Sequence, residues 1–308
     1  MKPRPSSRLG ITRCIPLIVA AVALTLTGCN AAGGSPSAST ATLKVVATTT
    51  VFADIIRNVG GDRVTVSSII PPGVGPEDYE PKPDDAKKLV NADLIVSNGV
   101  GLDDFLDKLI GAGRSTQAAR LVLGDGIPTL LVNGEANPHF WLDPSLVIDH
   151  YLPSIAAELG QLDSPGAAGY TANATAYAAK VHAMDAANMA KVETIPAASR
   201  KLVTFHDAFP YFAKHYGFEL LGVILANVGQ EPSASDLARL VDEVRAAHVP
   251  AVFSEAQFSP KLAQTLAQEA GVTKVVTTLY NDALGPSPAD SYLGLMEWNM
   301  DEIVKALT

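Results

Sequence analysis

From Leu43 onward the chain alternates short runs rich in β-branched residues with runs whose apolar residues recur at helical spacing. This alternation restricts the fold more than any other feature. LKVVATTT, VTVSSII, DLIVSNG and ARLVLGD are bounded by turn formers and read as strands. Between them, VFADIIRNVGG, PDDAKKLVNA and DDFLDKLIGAG read as helices. Strand, helix and strand in repetition build a parallel sheet covered by helices. The alternation then lapses. DPSLVIDHYLPSIAAELGQL reads as a helix opened by Asp143 as N-cap, with Pro144 at the first helical position. After Ser164-Pro165-Gly166 comes the alanine-rich AAGYTANATAYAAKVHAMDAANMAKVETI, which has no internal proline and is stopped by Pro196. As a helix it would run about 40 Å at ~1.5 Å per residue. Beyond it KLVTFHDA, FELLGVI, PAVFSEA and TKVVTTLY read as strands again, separated and followed by FPYFAKHYG, SASDLARLVDEVRAAH, SPKLAQTLAQEAG and DSYLGLMEWNMDEIVKAL as helices. The predicted fold is therefore α/β: two Rossmann-like βα lobes, 43–163 and 197–308, joined by one long backbone helix within 164–196.

The first 28 residues form a separate unit. Lys2, Arg4, Arg8 and Arg13, with no acid, precede the apolar run IPLIVAAVALTL, which is too short to cross a bilayer and has the layout of a secretory signal peptide. The run ends in Leu26-Thr27-Gly28-Cys29, which resembles the bacterial lipoprotein signal. Cys29 is then expected to become the lipidated first residue, with 29–42 as a flexible tether of small polar residues. This places the protein outside the cytoplasm, held to a membrane by its lipid. The other cysteine, Cys14, lies inside the signal, so the folded part is expected to contain neither a disulfide nor a thiolate metal site. Of 23 lysine and arginine residues four leave with the signal, against 32 acidic residues that stay. A net charge of about −13 argues against a nucleic-acid partner and is compatible with a cationic ligand.

Open parallel sheets bind ligands beyond the carboxyl ends of their strands. Four side chains capable of holding a metal fall there. Glu77 follows VTVSSII in the acidic, proline-stiffened loop PPGVGPEDYEPKPDD; His139 lies in ANPHFWLDP; His206 ends KLVTFH; Asp282 follows KVVTTLYN. Two imidazoles and two carboxylates make a mixed nitrogen and oxygen site for a divalent metal. Blander readings exist: Glu77 as part of a solvated acidic loop, Asp282 as a turn or cap residue, the two histidines as core residues. His150, His182, His215 and His248 fall inside helix patterns and read as surface or packing residues. There is no HExxH, GxxxxGK[ST] or GxSxG, and GVGLDD carries only two of the dinucleotide-binding glycines.

At these four places the chain resembles the zinc and manganese receptors among the solute-binding proteins of bacterial ABC importers. The family's GxDPHxYEPxP, NPHxWxDP, FHDAFxYFxxxYG and YxDxLG segments are similar to GVGPEDYEPKP, NPHFWLDP, FHDAFPYFAKHYG and YNDALG here. The resemblance spans 43–308. It implies a metal site in the cleft between the lobes, with ligands from position 77 and from His139, His206 and Asp282. The chain departs from the pattern at 77, where the family usually has histidine and this chain has Glu77. His206 is like the zinc members, while the count of two carboxylates is like the manganese members. Zn²⁺ and Mn²⁺ are thus both expected cargoes, with Fe²⁺ third. The resemblance further implies an ABC permease and its ATPase as partners, a monomeric receptor, and a rigid spine that permits only small lobe movements. Tyr79 and the prolines would frame the loop over 71–83, which is expected to gate the site, and Glu255 would stand behind or near the ligands. A site of four protein ligands carries a metal without catalysing anything. The competing reading is a membrane-tethered metal-dependent hydrolase or oxygenase with an open site at His139, His206 and one carboxylate. A surface adhesin on the same scaffold is a third.

Overall fold

The structure, a computed structural model, describes residues 42–76, 79–112, 117–132, 134–225 and 232–308. The signal peptide, Cys29 and nearly all of the tether lie outside the described residues, as do Glu77 and Asp78. Among the described residues no helix is long and apolar enough to cross a membrane.

Strand β1 (Leu43–Ala47) leads into α1 (Thr50–Gly60), which Thr49 caps by accepting from the N–H of Phe52. The helix buries Phe52, Ile55, Ile56 and Val59, the stripe expected from their spacing. It ends at Gly61, whose φ of 56° lies in the left-handed region. There follow β2 (Val64–Ser68), α2 (Pro83–Val90), β3 (Leu94–Ser97), α3 (Phe105–Ala112) and β4 (Ala119–Val122). All four strands are parallel, in the order β2-β1-β3-β4. The connection reverses direction between β1 and β3, so a crevice opens beyond their carboxyl ends.

A hairpin of β5 (Leu131–Val132) and β6 (Glu135–Ala136) follows, turning at Gly134 with φ 88°. Sequence periodicity does not reveal it, because two-residue strands are too short to show alternation. Next come α4 (Pro144–Leu146), a π-helical turn over Val147–Tyr151, and α5 (Leu152–Leu162). The expected cap is present: the Asp143 side chain accepts from the N–H of Ser145. The π turn was not foreseen. Its cause is Pro153, which has no N–H to give and whose ring would press on the carbonyl one turn back, so the helix widens just before it.

After α6 (Ala167–Val192) the second lobe runs β7 (Lys201–Thr204), α7 (Pro210–Tyr216), β8 (Glu219–Val223), α8 (Ala234–Ala246), β9 (Ala251–Glu255), α9 (Lys261–Ala270), β10 (Lys274–Leu279) and α10 (Tyr292–Leu307). Its strands form two parallel pairs, β7 with β8 and β9 with β10, and β7 lies beside β9. That sequence of neighbours echoes the first lobe.

Helix α6, 26 residues or about 39 Å long, packs against α1, α5 and α10. Its buried residues Tyr170, Ala174, Tyr177, Val181, Met184, Asn188 and Val192 recur every three or four positions. One continuous apolar core includes Phe52 and Trp141 from the first lobe, Tyr177 from the spine, and Tyr292 and Leu295 from the second. Hydrogen bonds cross the same boundary. The N–H of Leu284 donates to Thr50 Oγ1 (2.9 Å) and that of Tyr292 to Asp54 Oδ2 (2.9 Å). Trp141 Nε1 donates to the carbonyl of Asn281 (2.8 Å), and the Tyr292 hydroxyl to the carbonyl of Trp141 (2.8 Å).

Candidate metal centre

His139 is set by the turn that leaves β6. Asn137 Oδ1 accepts from the backbone N–H of His139 (3.1 Å) and lies 3.1 Å from its Nδ1. An amide oxygen only accepts, so Nδ1 carries the proton and the Nε2 lone pair faces the cleft. The same Asn137 donates through Nδ2 to the carbonyl of Asp207 in the second lobe (2.7 Å), and Asn98 Nδ2 holds the carbonyl of Pro138 (2.9 Å).

His206 stands two residues past β7, and Asp282 three residues past β10. His139 Nε2 is 3.4 Å from Asp282 Oδ1, and His206 Nε2 is 3.6 Å from Asp282 Oδ2. On the far side of the His206 ring, Nδ1 is 3.3 Å from Oε1 of Glu255, the last residue of β9. The two imidazoles meet edge to face at 5.5 Å, walled by Trp141 beside His139 and Phe258 beside His206. Exposure is 2% for each histidine and 0% for Asp282 and Glu255.

One ligand atom from each of His139, His206 and Asp282 lies within 4.8 Å of the others. His139 Nε2 and Asp282 Oδ1 are buried without a hydrogen-bond partner. An unpaired polar atom away from water costs about 1–3 kcal/mol, more when charged, so the pair is costly unless a cation sits between them. Burial pushes the Asp282 carboxyl up, but His139 and His206, when protonated, and the Gln257 amide pull it down, leaving it below the ordinary carboxylate range; a cation in the cleft would supply the same positive charge. A dry pocket that keeps its carboxylate charged beside two imidazoles is suited to a divalent cation.

Residues that the sequence did not single out hold this geometry. Gln257 Nε2 donates to Asp282 Oδ2 (2.9 Å) and to Asn281 Oδ1 (3.0 Å), and the latter oxygen also accepts from the N–H of Asp282 (2.7 Å). Their only signal is position: Asn137 and Asn281 sit within two residues of a candidate ligand, and Gln257 follows a strand end.

Glu77 lies outside the described residues, but its loop reaches the cluster. A methyl group added at Gly75 would stand 3.5 Å from both Asp282 Oδ2 and Gln257 Nε2. The Tyr79 hydroxyl donates to Asp85 Oδ2 (2.5 Å), an oxygen that also accepts the N–H of Lys82 at the start of α2. Its ring packs edge-on against Phe105 at 5.5 Å. Tyr79 therefore braces the loop against α2 and α3. A cavity of about 470 Å³ opens between Pro72 and Gly73 of this loop and Gln257, Tyr280 and Leu284 of the second lobe.

Among the other histidines, His215 is in α7 as expected, but it bridges two carboxylates instead of simply packing. His248 falls just after α8, at φ 51°, and not within a helix.

Two parallel-sheet lobes on a helical spine form the architecture also found in solved periplasmic metal-binding proteins. The periplasmic zinc binding protein TroA of Treponema pallidum superposes with a TM-score of 0.79 at 29% identity, over 87% of this chain and 99% of that one. The family profile described as ZnuA, zinc-uptake complex component A, periplasmic, matches residues 45–306, and the chain belongs to this family. It is 31% identical over 298 residues to the manganese-binding lipoprotein MntA of Halalkalibacterium halodurans, covering 96% of this chain and 98% of the relative. It is 35% identical over 281 residues to the iron-binding protein YfeA of Yersinia pestis, covering 89% of each. The family is one of uptake components and not of enzymes, and the hydrolase or oxygenase reading finds no support in these relatives.

Proposed function

We propose that this protein captures a divalent transition metal outside the cytoplasm and delivers it to the permease of an ABC importer, which its ATPase drives. The observation that carries the reading is the buried trio His139, His206 and Asp282, with ligand atoms within 4.8 Å of one another. Glu77 completes the set from the loop above, giving two imidazoles and two carboxylates. Four protein ligands leave no open position for substrate chemistry, so the metal is cargo. Carboxylate oxygens suit Mn²⁺ and imidazoles suit Zn²⁺, with Fe²⁺ accommodated by the same mixture. Glu255 Oε1, 3.3 Å from His206 Nδ1, stands where it would draw the proton to that nitrogen and leave Nε2 for the metal, as Asn137 does for His139.

In this reading residues 1–28 are the signal, and lipidated Cys29 with the tether to 42 keeps a monomeric receptor at the membrane. The lobes 43–163 and 197–308 close only slightly about the helix in 164–196. The loop over 71–83, braced by Tyr79, is the part that moves.

The test is a competition titration of Mn²⁺ against Zn²⁺ on the metal-stripped protein, beside Glu77→His and Glu77→Ala. Retention of Mn²⁺ against modest zinc, lost in Glu77→His, makes Glu77 a ligand tuned for the harder ion. Equal zinc preference in all three, with binding intact in Glu77→Ala, leaves a site of three residues and removes Glu77 from it. Binding of neither metal by the native chain would refute the function itself.

A further inference from the structure

A second constellation of charges lies apart from the ligands. His215, in the last turn of α7, has Nδ1 3.0 Å from Asp143 Oδ1 and Nε2 2.8 Å from Asp185 Oδ1. Asp143 comes four residues after His139 and caps α4, where its Oδ1 also accepts from the N–H (2.9 Å) and hydroxyl (2.6 Å) of Ser145. Asp185 belongs to the spine α6. The three side chains are between 14 and 19% exposed.

Carboxylate oxygens only accept, so engaging both ring nitrogens requires both to carry protons, and the ring is then an imidazolium. We infer that the cation at His215 is a positioning element for metal capture, pinning the His139 segment to the His206 segment and both to the spine before metal arrives. This rests on reading His139, His206 and Asp282 as the ligands.

The mechanical path is short on both sides. Between Asp143 and His139 lies a single 3-10 turn, Phe140–Leu142, whose three residues are all buried. Between His215 and His206 lies α7, which starts at Pro210 and packs Phe212 and Tyr216 into the core. Rigid elements of this length carry a displacement at one end to the other. The site needs that rigidity, because His139 Nε2 and Asp282 Oδ1 face one another unpaired. Without the cation, two carboxylates from different elements would share a half-buried place, which is unfavourable. Burial alone would lower the basicity of His215, but Asp143 and Asp185 raise its pKa to about 9. The phenols nearby, Tyr211 and Tyr216 on α7 and Tyr292 on α10, are pushed up by burial and stay neutral.

The experiment compares the native protein with His215→Gln and His215→Arg, metal-stripped. It measures Zn²⁺ and Co²⁺ affinity against a chelating dye, the visible spectrum of the Co²⁺ form, and the urea midpoint. We expect His215→Gln to unfold cooperatively, to bind about tenfold more weakly and to show an altered Co²⁺ spectrum, while His215→Arg, which keeps the cation, recovers most of the affinity. If His215→Gln lowers the urea midpoint but leaves affinity within about twofold and the spectrum unchanged, the pin serves folding alone and the inference is wrong. Should His215→Gln fail to fold, Asp185→Leu removes one arm from the spine, and unchanged affinity there overturns the inference equally. Failure of the native chain to bind either metal would instead sink the ligand reading on which the pin depends.

Discussion

Trp141 joins the two halves of the candidate site. It follows His139 by two residues, and its Nε1 donates 2.8 Å to the carbonyl of Asn281, the neighbour of Asp282. Replacing it with phenylalanine removes that bond while keeping an aromatic ring beside Phe52, which it now meets edge-on at 5.2 Å. Two terms set the cost. The Asn281 carbonyl, left without its indole donor in a buried place, costs about 1–3 kcal/mol. The smaller ring gives up roughly three carbon-sized groups of packing, worth up to ~2 kcal/mol after partial collapse. Together the loss should be about 1–5 kcal/mol, a large fraction of a stability of about 5–15 kcal/mol. Urea unfolding of the metal-free protein, followed by far-ultraviolet circular dichroism, measures it as a shift in midpoint at constant slope. Metal affinity should fall several-fold in the same variant, since the Asn281 segment orients Asp282. A loss below about 1 kcal/mol would mean that water satisfies the carbonyl and that Trp141 does not tie the lobes.

Asn137→Ala removes the acceptor that fixes the His139 tautomer, and its zinc affinity should fall about 10–100-fold; an unchanged dissociation constant would show that the tautomer needs no such partner. Glu255→Gln should weaken binding by about tenfold through His206, and equal affinities in the titration would remove Glu255 from the site. The His215 pKa is raised from about 6.5 to about 9, so its stabilisation is full below pH ~6.5, declines as pH rises, and is lost above pH ~9. The gap in urea midpoint between native protein and His215→Gln should therefore narrow across that window, and a gap constant with pH would mean that the ring is not charged. Hydrogen exchange in the loop over 71–83 should slow when metal binds, and identical exchange with and without metal would end its role as gate.

The four parallel strands of each lobe and the helices between them were legible in the sequence because they are long enough to show their period. The spine was legible from the alanine-rich, proline-free run that Pro196 ends, of which Ala167–Val192 is helical. His139, His206 and Asp282 were legible as candidates, because a parallel sheet delivers the residues after its strands to one edge. Local pattern did not reveal the hairpin at β5 and β6, too short for periodicity, or the π turn, which depends on how a helix yields to Pro153. Nor did it show what each candidate touches. That Asn137, Gln257 and Asn281 hydrogen-bond around the candidate residues, that Trp141 reaches Asn281 across 140 residues, and that His215 lies between Asp143 and Asp185 follow from chain return. Spacing along a sequence fixes which side chains share a face of one element. Only packing of the elements against one another decides which polar atoms meet in a place that water does not reach, and the chemistry of this cleft depends on that meeting.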